Sequence, residues 1–520
     1  MSKSKTTEGE STVRNGVIRM VFVIVAILLE LLFVLGIVFQ FNEYAEWINI
    51  VTRFAGAVIV MGIYSQHRSA SVRMPWIILV MAAPVLGVTL YLLIGLNGFT
   101  RKRRKRYKAV DDELLPLLPE NEHILEELKE YDSGAGNLAS YIRKCSGYPV
   151  FRDTGVIYYD EASDALEAQL EDLSKAQEFI FMEYHAIEEK ESFGRIREVL
   201  ADRAAHGVEV RLFYDDMGSI GFITTDFVKR MESLGIQCRV FNPLAPGLNL
   251  FLNNRDHRKI TVIDGTVGFT GGYNLANEYF NIDAPYGYWK DTGLRLEGGA
   301  VRSLTVAFLE MWNAGTGKDR EDLDFKRYLP DPGSVPHPDG FVQPYADGPM
   351  TWEHVAENVY ISMVETARDY AWFVTPYLIV TEELIHAFGL AAKRGVDVRV
   401  ITPGIPDKKL IYNVTRSYYN ALARNGVKIY EYTPGFCHCK MSVVDDLMAT
   451  CGTINLDYRS LYHHFENGCW ICGGQIPLDI KADFERTLAQ CEEVTEKYIT
   501  GRGRFLRIGQ LILRLVAPLL

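Results

Sequence analysis

His257-Arg258-Lys259-Ile260-Thr261-Val262-Ile263-Asp264 has a counterpart in the other half of the chain, His438-Cys439-Lys440-Met441-Ser442-Val443-Val444-Asp445. Both read H-x-K-x4-D. Both run on, at the same offset, into a small-residue turn ending in Asn: Gly271-Gly272-Tyr273-Asn274 and Gly452-Thr453-Ile454-Asn455. Apolar, β-branched residues alternate behind each lysine and Asp264-Gly265 is a turn signal, so each copy predicts a strand entering a hairpin. Residues i and i+2 of a strand share a face. His257 is therefore expected beside Lys259, and His438 beside Lys440. An imidazole next to an ammonium makes an anion site, with lysine as a three-donor point charge and histidine as nucleophile or proton carrier. Two such pairs brought together would hold a phosphate between two imidazoles, one attacking phosphorus while the other protonates the leaving oxygen.

The repeat extends upstream. Ala204-Ala205-His206-Gly207-Val208-Glu209-Val210-Arg211-Leu212 parallels Ala391-Ala392-Lys393-Arg394-Gly395-Val396-Asp397-Val398-Arg399-Val400. Each reads as a helix end, a Gly cap and a strand. Leu234 to Val240 parallels Asn425 to Tyr430, and an apolar strand precedes each helix, Phe179 to Tyr184 and Tyr370 to Pro376. The order β-α-β-α-β-β in both halves predicts an α/β fold: two similar lobes, each a mixed sheet flanked by helices, facing a shared cleft.

These residues resemble the phospholipase D superfamily, whose members carry two H-x-K-x4-D motifs, and within it the bacterial cardiolipin synthases. Supporting strings are Asn254 to Lys259, Asn277-Glu278-Tyr279, Trp289-Lys290-Asp291-Thr292, Thr375-Pro376-Tyr377, Tyr432 to Phe436 and Asn455-Leu456-Asp457-Tyr458-Arg459-Ser460. The likeness runs from about residue 50 to the C-terminus. It departs at Cys439, where the family often has Ala, and at Gly272, often Ser or Thr elsewhere in the superfamily. The resemblance implies catalytic His257, Lys259, His438 and Lys440. It implies Asn274 and Asn455 as phosphate binders. It also implies a carboxylate downstream of each motif that orients the imidazole: Asp291 for the first half and Glu466 for the second. Asp264 and Asp445 belong to the motif, and either take part in the chemistry, hold the strand turn or pair with a lysine. The implied reaction joins two phosphatidylglycerol molecules into cardiolipin and glycerol through a phosphatidyl-histidine. The donor is already a phosphodiester, so no cofactor is implied. A hydrolytic phospholipase D, a membrane-anchored nuclease and a non-enzymatic scaffold are the rival readings.

Zinc is not expected. Neighbours such as Cys437 and His438 point to opposite faces of a strand, and Cys469-Trp470-Ile471-Cys472 is a single C-x2-C without a second pair. The eight cysteines all follow residue 140 and read as free thiols of a reducing compartment. The net charge of −11 disfavours a nucleic-acid partner. Nothing in the sequence sets an oligomeric state.

The first hundred residues are different in kind. Met20 to Phe41, Trp47 to Tyr64 and Trp76 to Leu96 are apolar stretches, the last broken by Pro84 and Gly87. At 1.5 Å per residue a run of about 20 spans the roughly 30 Å hydrocarbon layer. Two to three N-terminal transmembrane helices are expected, hence a multi-pass protein of the bacterial inner membrane. Arg101 to Arg106 puts the lobes on the cytoplasmic side by the positive-inside rule. Lys3, Lys5, Arg14 and Arg19 put the N-terminus there too, and three full spans cannot satisfy both clusters. Arg507 and Arg514 among Leu and Ile predict an amphipathic C-terminal helix on anionic lipid. The expected parts are a membrane region 1–100, a connector 101–145, a first lobe 146–323, a linker 324–347, a second lobe 348–503 and the membrane-contacting helix 504–520.

Overall fold

A computed structural model describes residues 45–66, 70–92, 98–243, 254–315, 340–351, 353–501 and 508–517, with four positions between 21 and 32 and most of 322–338. The first lobe is built on strands β1 (Thr154–Tyr159), β2 (Phe179–Tyr184), β3 (Glu209–Asp215), β4 (Gln237–Phe241), β5 (Lys259–Ile263), β6 (Val267–Gly271), β7 (Tyr288–Lys290) and β8 (Gly293–Gly298). All but β7 form one sheet in the order β1-β8-β6-β5-β2-β3-β4. The second lobe contributes β9 (Phe341–Asp347), β10 (Tyr370–Val374), β11 (Leu378–Ile379), β12 (Asp397–Pro403), β13 (Lys428–Tyr432), β14 (Gly435–Cys437), β15 (Met441–Val444), β16 (Met448–Gly452), β17 (Leu456–Asp457), β18 (Glu466–Cys472) and β19 (Cys491–Glu493). Its large sheet runs β19-β13-β12-β10-β15-β16-β18-β9.

The two sheets share a plan. In the first, β2, β3 and β4 are parallel and β5 returns antiparallel against β2. In the second, β10, β12 and β13 are parallel and β15 returns against β10. The predicted mixed α/β lobes are therefore present. The central parallel strands β2 and β10 are buried on both faces, as helix-covered strands must be. The helix Val301–Ala314 is almost wholly buried, and one apolar core runs from the 107–142 helices through it into the second lobe. Phe308 and Trp312 are its anchors, at 0% and 1% exposure. Burying a phenylalanine side chain of this kind contributes roughly 1.5–3 kcal/mol.

Three expectations change. The segment 324–347 is not all linker, because Phe341–Asp347 is a strand of the second sheet, paired with β18. Pro344 disguised it. β9 is the edge strand, and an edge position tolerates a residue that cannot donate. The stretch 101–145 is not a free connector either. It forms helices Gly98–Leu114, Glu122–Tyr131 and Ser133–Ser146 that dock on the lobes. Buried Gln343 donates to the Ala139 and Tyr148 carbonyls, and Tyr107 stacks on Phe465 at 5.1 Å. Finally, no helix among the described residues is long and apolar enough to cross a membrane. Met20 to Phe41 lies largely outside the described residues. Trp47 to Tyr64 falls in helix Ala45–Tyr64, and the third stretch is split by Pro84 into Ala70–Ala82 and Pro84–Leu90.

Candidate active site

The H-x-K triplets sit just ahead of their strands. β5 begins at Lys259, while β15 begins one residue after Lys440. Each histidine is instead fixed by backbone pairing with the opposite lobe. Asp256 bridges to Phe465 in parallel, with the His257 N–H donating to the Phe465 carbonyl at 2.9 Å. β14 pairs in parallel with β7, and the His438 N–H donates to the Lys290 carbonyl at 2.8 Å. The residue following each partner is a carboxylate, and this sets the pairs. His257 Nδ1 lies 2.9 Å from both oxygens of Glu466, and His438 Nδ1 lies 2.7 Å from Asp291 Oδ2. The carboxylates are thus exchanged between lobes. Asp291 serves the second motif and Glu466 the first, the reverse of the assignment by chain half. Local spacing gave no hint of this, because the strand pairings that create it cross between lobes.

The two half-sites are not identical. Glu466 also accepts from the Thr453 hydroxyl. The matching residue beside Asp291 is Gly272, where a Cβ would lie only 1.9 Å from Asp291 Oδ1. The longer Glu thus pairs with a hydroxyl neighbour and the shorter Asp with a glycine. At the central x position, Arg258 is buried, donates to the Ala307 carbonyl and pairs with Glu310 at 2.9 Å, anchoring the first triplet on the buried helix. Cys439 is its smaller counterpart, buried against the Lys290 carbonyl.

Both carboxylates are fully buried and both histidines nearly so. Burial pushes His438 down to about 4, helped by Lys440 and opposed by Asp291. Burial also holds His257 well below its usual value, with Lys259, His185 and Lys440 adding to it. Each lysine therefore acts on the imidazole of the other lobe as well as its own, so the four groups share one electrostatic site. Burial lowers Lys259 to about 7 against the raising effect of Glu466. Burial alone would raise Asp291, but the His438 contact and the Lys440 charge overcome it and hold the carboxyl low. A carboxylate at Nδ1 fixes the proton there and leaves Nε2 with its lone pair. The site thus offers two imidazole lone pairs and two cations.

Lys259 Nζ donates to the His257 carbonyl at 2.7 Å, and Lys440 Nζ rests against the His438 ring, 2.8 Å and 3.0 Å from its nitrogens. Asn274 donates to the Tyr279 hydroxyl and accepts from the Ala186 N–H, while Asn455 is buried with its Oδ1 unpartnered. Asp264 and Asp445 lie elsewhere, at the far ends of their strands. Asp264 accepts the N–H groups of Gln177, Glu178 and Phe179, and Asp445 those of Arg368, Asp369 and Tyr370. Both sit in left-handed backbone, at φ of 51° and 53°. They clamp the hairpin turn to the strand before the first helix crossover.

Several site residues escaped the sequence reading. His185 packs edge-on to His257 at 5.1 Å, and His464 lies tilted against the same ring at 5.4 Å. Trp289, Tyr279 and Phe436 wall in His438. Arg255 and Asp215 form a buried bidentate pair beside the first triplet, and Asp215 also accepts the Asp256 N–H. Arg255, Tyr279, Trp289 and Phe436 lie inside the quoted motif strings, whereas His185, His464 and Asp215 carried no signal.

A family profile described as "Cardiolipin synthase, PLD-like domain" matches residues 170–289 and 360–488. A cardiolipin synthase of Alkalihalophilus pseudofirmus is 33% identical over 472 residues, covering 90% of this chain and 93% of that protein. The chain belongs to the cardiolipin synthase family. The major cardiolipin synthase of Bacillus subtilis is 32% identical, covering 89% of this chain and 96% of that protein. An uncharacterised protein of Streptococcus mutans is 42% identical, covering 89% of this chain and all of its own length. Among solved structures, the phosphatidylserine synthase of Haemophilus influenzae overlays with a TM-score of 0.57 at 12% identity, covering 74% of this chain and 97% of that one. That last likeness concerns the two-lobed fold. The two family segments each contain one H-x-K triplet; the first ends within β7, two residues before Asp291, and the second includes Glu466.

Proposed function

We propose that this cardiolipin synthase family member condenses two phosphatidylglycerol molecules into cardiolipin and glycerol through a phosphatidyl-histidine. The observation that carries the reading is the pair of buried imidazoles, each held at Nδ1 by a carboxylate of the other lobe with a lysine alongside. His257 Nε2 attacks phosphorus, and the bond to the glycerol headgroup oxygen breaks as His438 delivers its proton to that oxygen. The hydroxyl of a second phosphatidylglycerol then returns a proton to His438, attacks phosphorus and frees His257. The charge spread over the phosphoryl oxygens is met by Lys259 and Lys440, with the amides of Asn274 and Asn455 as further donors. The phosphate monoanion favours protonated His438, which is neutral at pH 7 in the empty site. Closing His438 in with Trp289, Tyr279 and Phe436 disfavours water as the acceptor.

The membrane attachment belongs to the same proposal: an inner-membrane protein with its lobes on the cytoplasmic side. Trp47, Ile50, Val51, Phe54, Val58 and Met61 are exposed on one helix, an apolar surface too large to leave in water. Ile508, Leu511 and Leu515 are exposed on the C-terminal helix Ile508–Val516, whose Arg514 lies over Tyr418 of the second lobe. Arg514 and Leu515 share a groove with Ala70 and Met74, so the helices Ala70–Ala82 and Ile508–Val516 meet on one face of the molecule. Thin-layer chromatography of labelled phosphatidylglycerol incubated with the enzyme tests the reaction. Cardiolipin with glycerol is expected. Phosphatidic acid as the main product would replace the transferase by a phospholipase D, and no conversion would reject both.

A further inference from the structure

His464 has no part in the transfer just derived, yet it is one of the most constrained side chains in the cleft. It is 8% exposed, and neither ring nitrogen makes a hydrogen bond. The nearest acceptor for Nδ1 is Glu466 Oε1 at 3.5 Å. A buried polar group without a partner costs roughly 1–3 kcal/mol, so its presence needs a reason. Its ring faces that of His257 at 5.4 Å, with Glu466 in contact with both imidazoles. One nitrogen of His257, one of His464 and one oxygen of Glu466 lie within 4.8 Å of one another. Two histidines and a glutamate are a ligand set for zinc, with bonds of about 2.0–2.2 Å and a fourth position left open. Ligands bonded to one tetrahedral ion lie about 3.3 Å apart at those bond lengths. Glu466 already lies 2.9 Å from His257 Nδ1 and 3.5 Å from His464 Nδ1, on either side of that spacing.

The geometry points to a divalent transition-metal site formed by His257, His464 and Glu466, and to Zn2+ at this site as an inhibitor of the enzyme. It is separate from the Cys437-His438-Cys439 string. Coordination silences His257 through either nitrogen. An ion on Nε2 takes the lone pair that would attack phosphorus. An ion on Nδ1 requires the neutral ring to carry its single proton on Nε2 instead, and that N–H occupies the lone pair that would attack phosphorus. Glu466 loses its orienting contact in both cases. Lys259 and Lys440 oppose a cation here, which suits a reversible inhibitory site better than a permanent structural one.

The inhibition rests on His257 as nucleophile, whereas the binding does not, so the two are read separately. The purified full-length chain in detergent micelles is dialysed against micromolar Zn2+, and bound metal is counted by mass spectrometry. One Zn2+ per chain is expected in the wild type, none at this site in His464→Phe, and recovery in His464→Cys. The midpoint of Zn2+ inhibition should rise at least tenfold in His464→Phe and return in His464→Cys. Equal zinc content in all three proteins, or a midpoint unmoved by His464→Phe, overturns the proposal. Exchanging a buried ring can unfold the chain, so Co2+ titration of the wild type supplies an independent reading. Visible absorption bands of a four- or five-coordinate nitrogen–oxygen site are expected, and their absence rejects the site. Zinc bound without inhibition would keep the site but contradict His257 as the nucleophile.

Discussion

Replacing Glu466 by Gln tests the exchange of carboxylates between lobes. Glu466 is fully buried and accepts from His257 Nδ1 and from the Thr453 hydroxyl. Glutamine keeps the shape but can accept at only one end, and its amide end would face a donor. The charge-assisted bond it removes is worth roughly 1.5–3 kcal/mol. The larger effect is on the tautomer. Without a carboxylate at Nδ1, His257 is free to carry its proton on Nε2, where no attack is possible. In a serine protease the same carboxylate-to-amide change lowers kcat by about 10^4. With a weaker dependence allowed here, the expected loss is 10^2 to 10^4, or about 2.7–5.4 kcal/mol at 1.36 kcal/mol per decade. Asp291→Asn should cost a comparable amount with phosphatidylglycerol, by disabling His438. The two are separated by a phosphatidyl ester of p-nitrophenol, whose leaving group departs without help from an acid. Release of nitrophenolate in a stopped-flow burst then reports attack by His257 alone. Glu466→Gln should still lose at least a hundredfold, and Asp291→Asn less than tenfold. The opposite pattern would mean that each carboxylate serves its own half, and the exchange would be refuted.

Asp264→Ala and Asp445→Ala should each remove three backbone hydrogen bonds and destabilise the chain by about 2–4 kcal/mol, at about 1 kcal/mol per bond. Thermal melting should register this while the folded protein keeps its kcat. A large drop in kcat with an unchanged melting temperature would restore them to the chemistry. Gly272→Ala drives a Cβ against Asp291 Oδ1 and must displace that carboxylate, so phosphatidylglycerol turnover should fall about a hundredfold. The nitrophenyl ester burst should survive, and loss of both would mean that the lobe itself has collapsed. Burial holds Lys259 at about 7 when the site is empty, so the free enzyme should lose kcat/KM as pH rises above 7 and the ammonium is neutralised. The same shift makes stability rise with pH between about 7 and 10.5, since the unfolded lysine still binds its proton there and the folded one does not. Binding of vanadate at pH 7 should take up protons, as the anion raises His438 from about 4. Calorimetry in buffers of different ionisation enthalpy measures that uptake, and zero uptake would contradict His438 as the proton carrier.

The doubled motif carried the fold because each copy sits in the same β-α-β-α-β-β frame, and that frame is written in local periodicity. The site residues His257, Lys259, His438 and Lys440 were legible for the same reason. What the sequence hid is non-local. Asp291 and Glu466 were recognised as partners but given to the wrong histidines, because the pairings Asp256–Phe465 and β7–β14 join segments far apart in the chain. β9 was hidden by Pro344, an edge-strand proline that reads as loop in isolation. His464 stands beside His463 between Tyr462 and Phe465, and nothing local marks it as buried against His257. At Asp264 and Asp445 the turn-holding alternative is the one the hydrogen bonds match. Their fixed spacing from histidine reflects a strand length, and their carboxylates serve the backbone at its far end.

The account turns on which imidazole carries the phosphatidyl group. His438→Asn removes the proton carrier, but a phosphatidyl ester of p-nitrophenol needs no acid to depart, so with that ester the variant should complete the first step and stall before the second. That variant, incubated with the labelled nitrophenyl ester, quenched in base and digested, is mapped by tandem mass spectrometry. A phosphatidyl adduct on His257 is predicted, with none in His257→Asn. An adduct on His438 in the His257→Asn protein, with His257 bare in the His438→Asn protein, would contradict it.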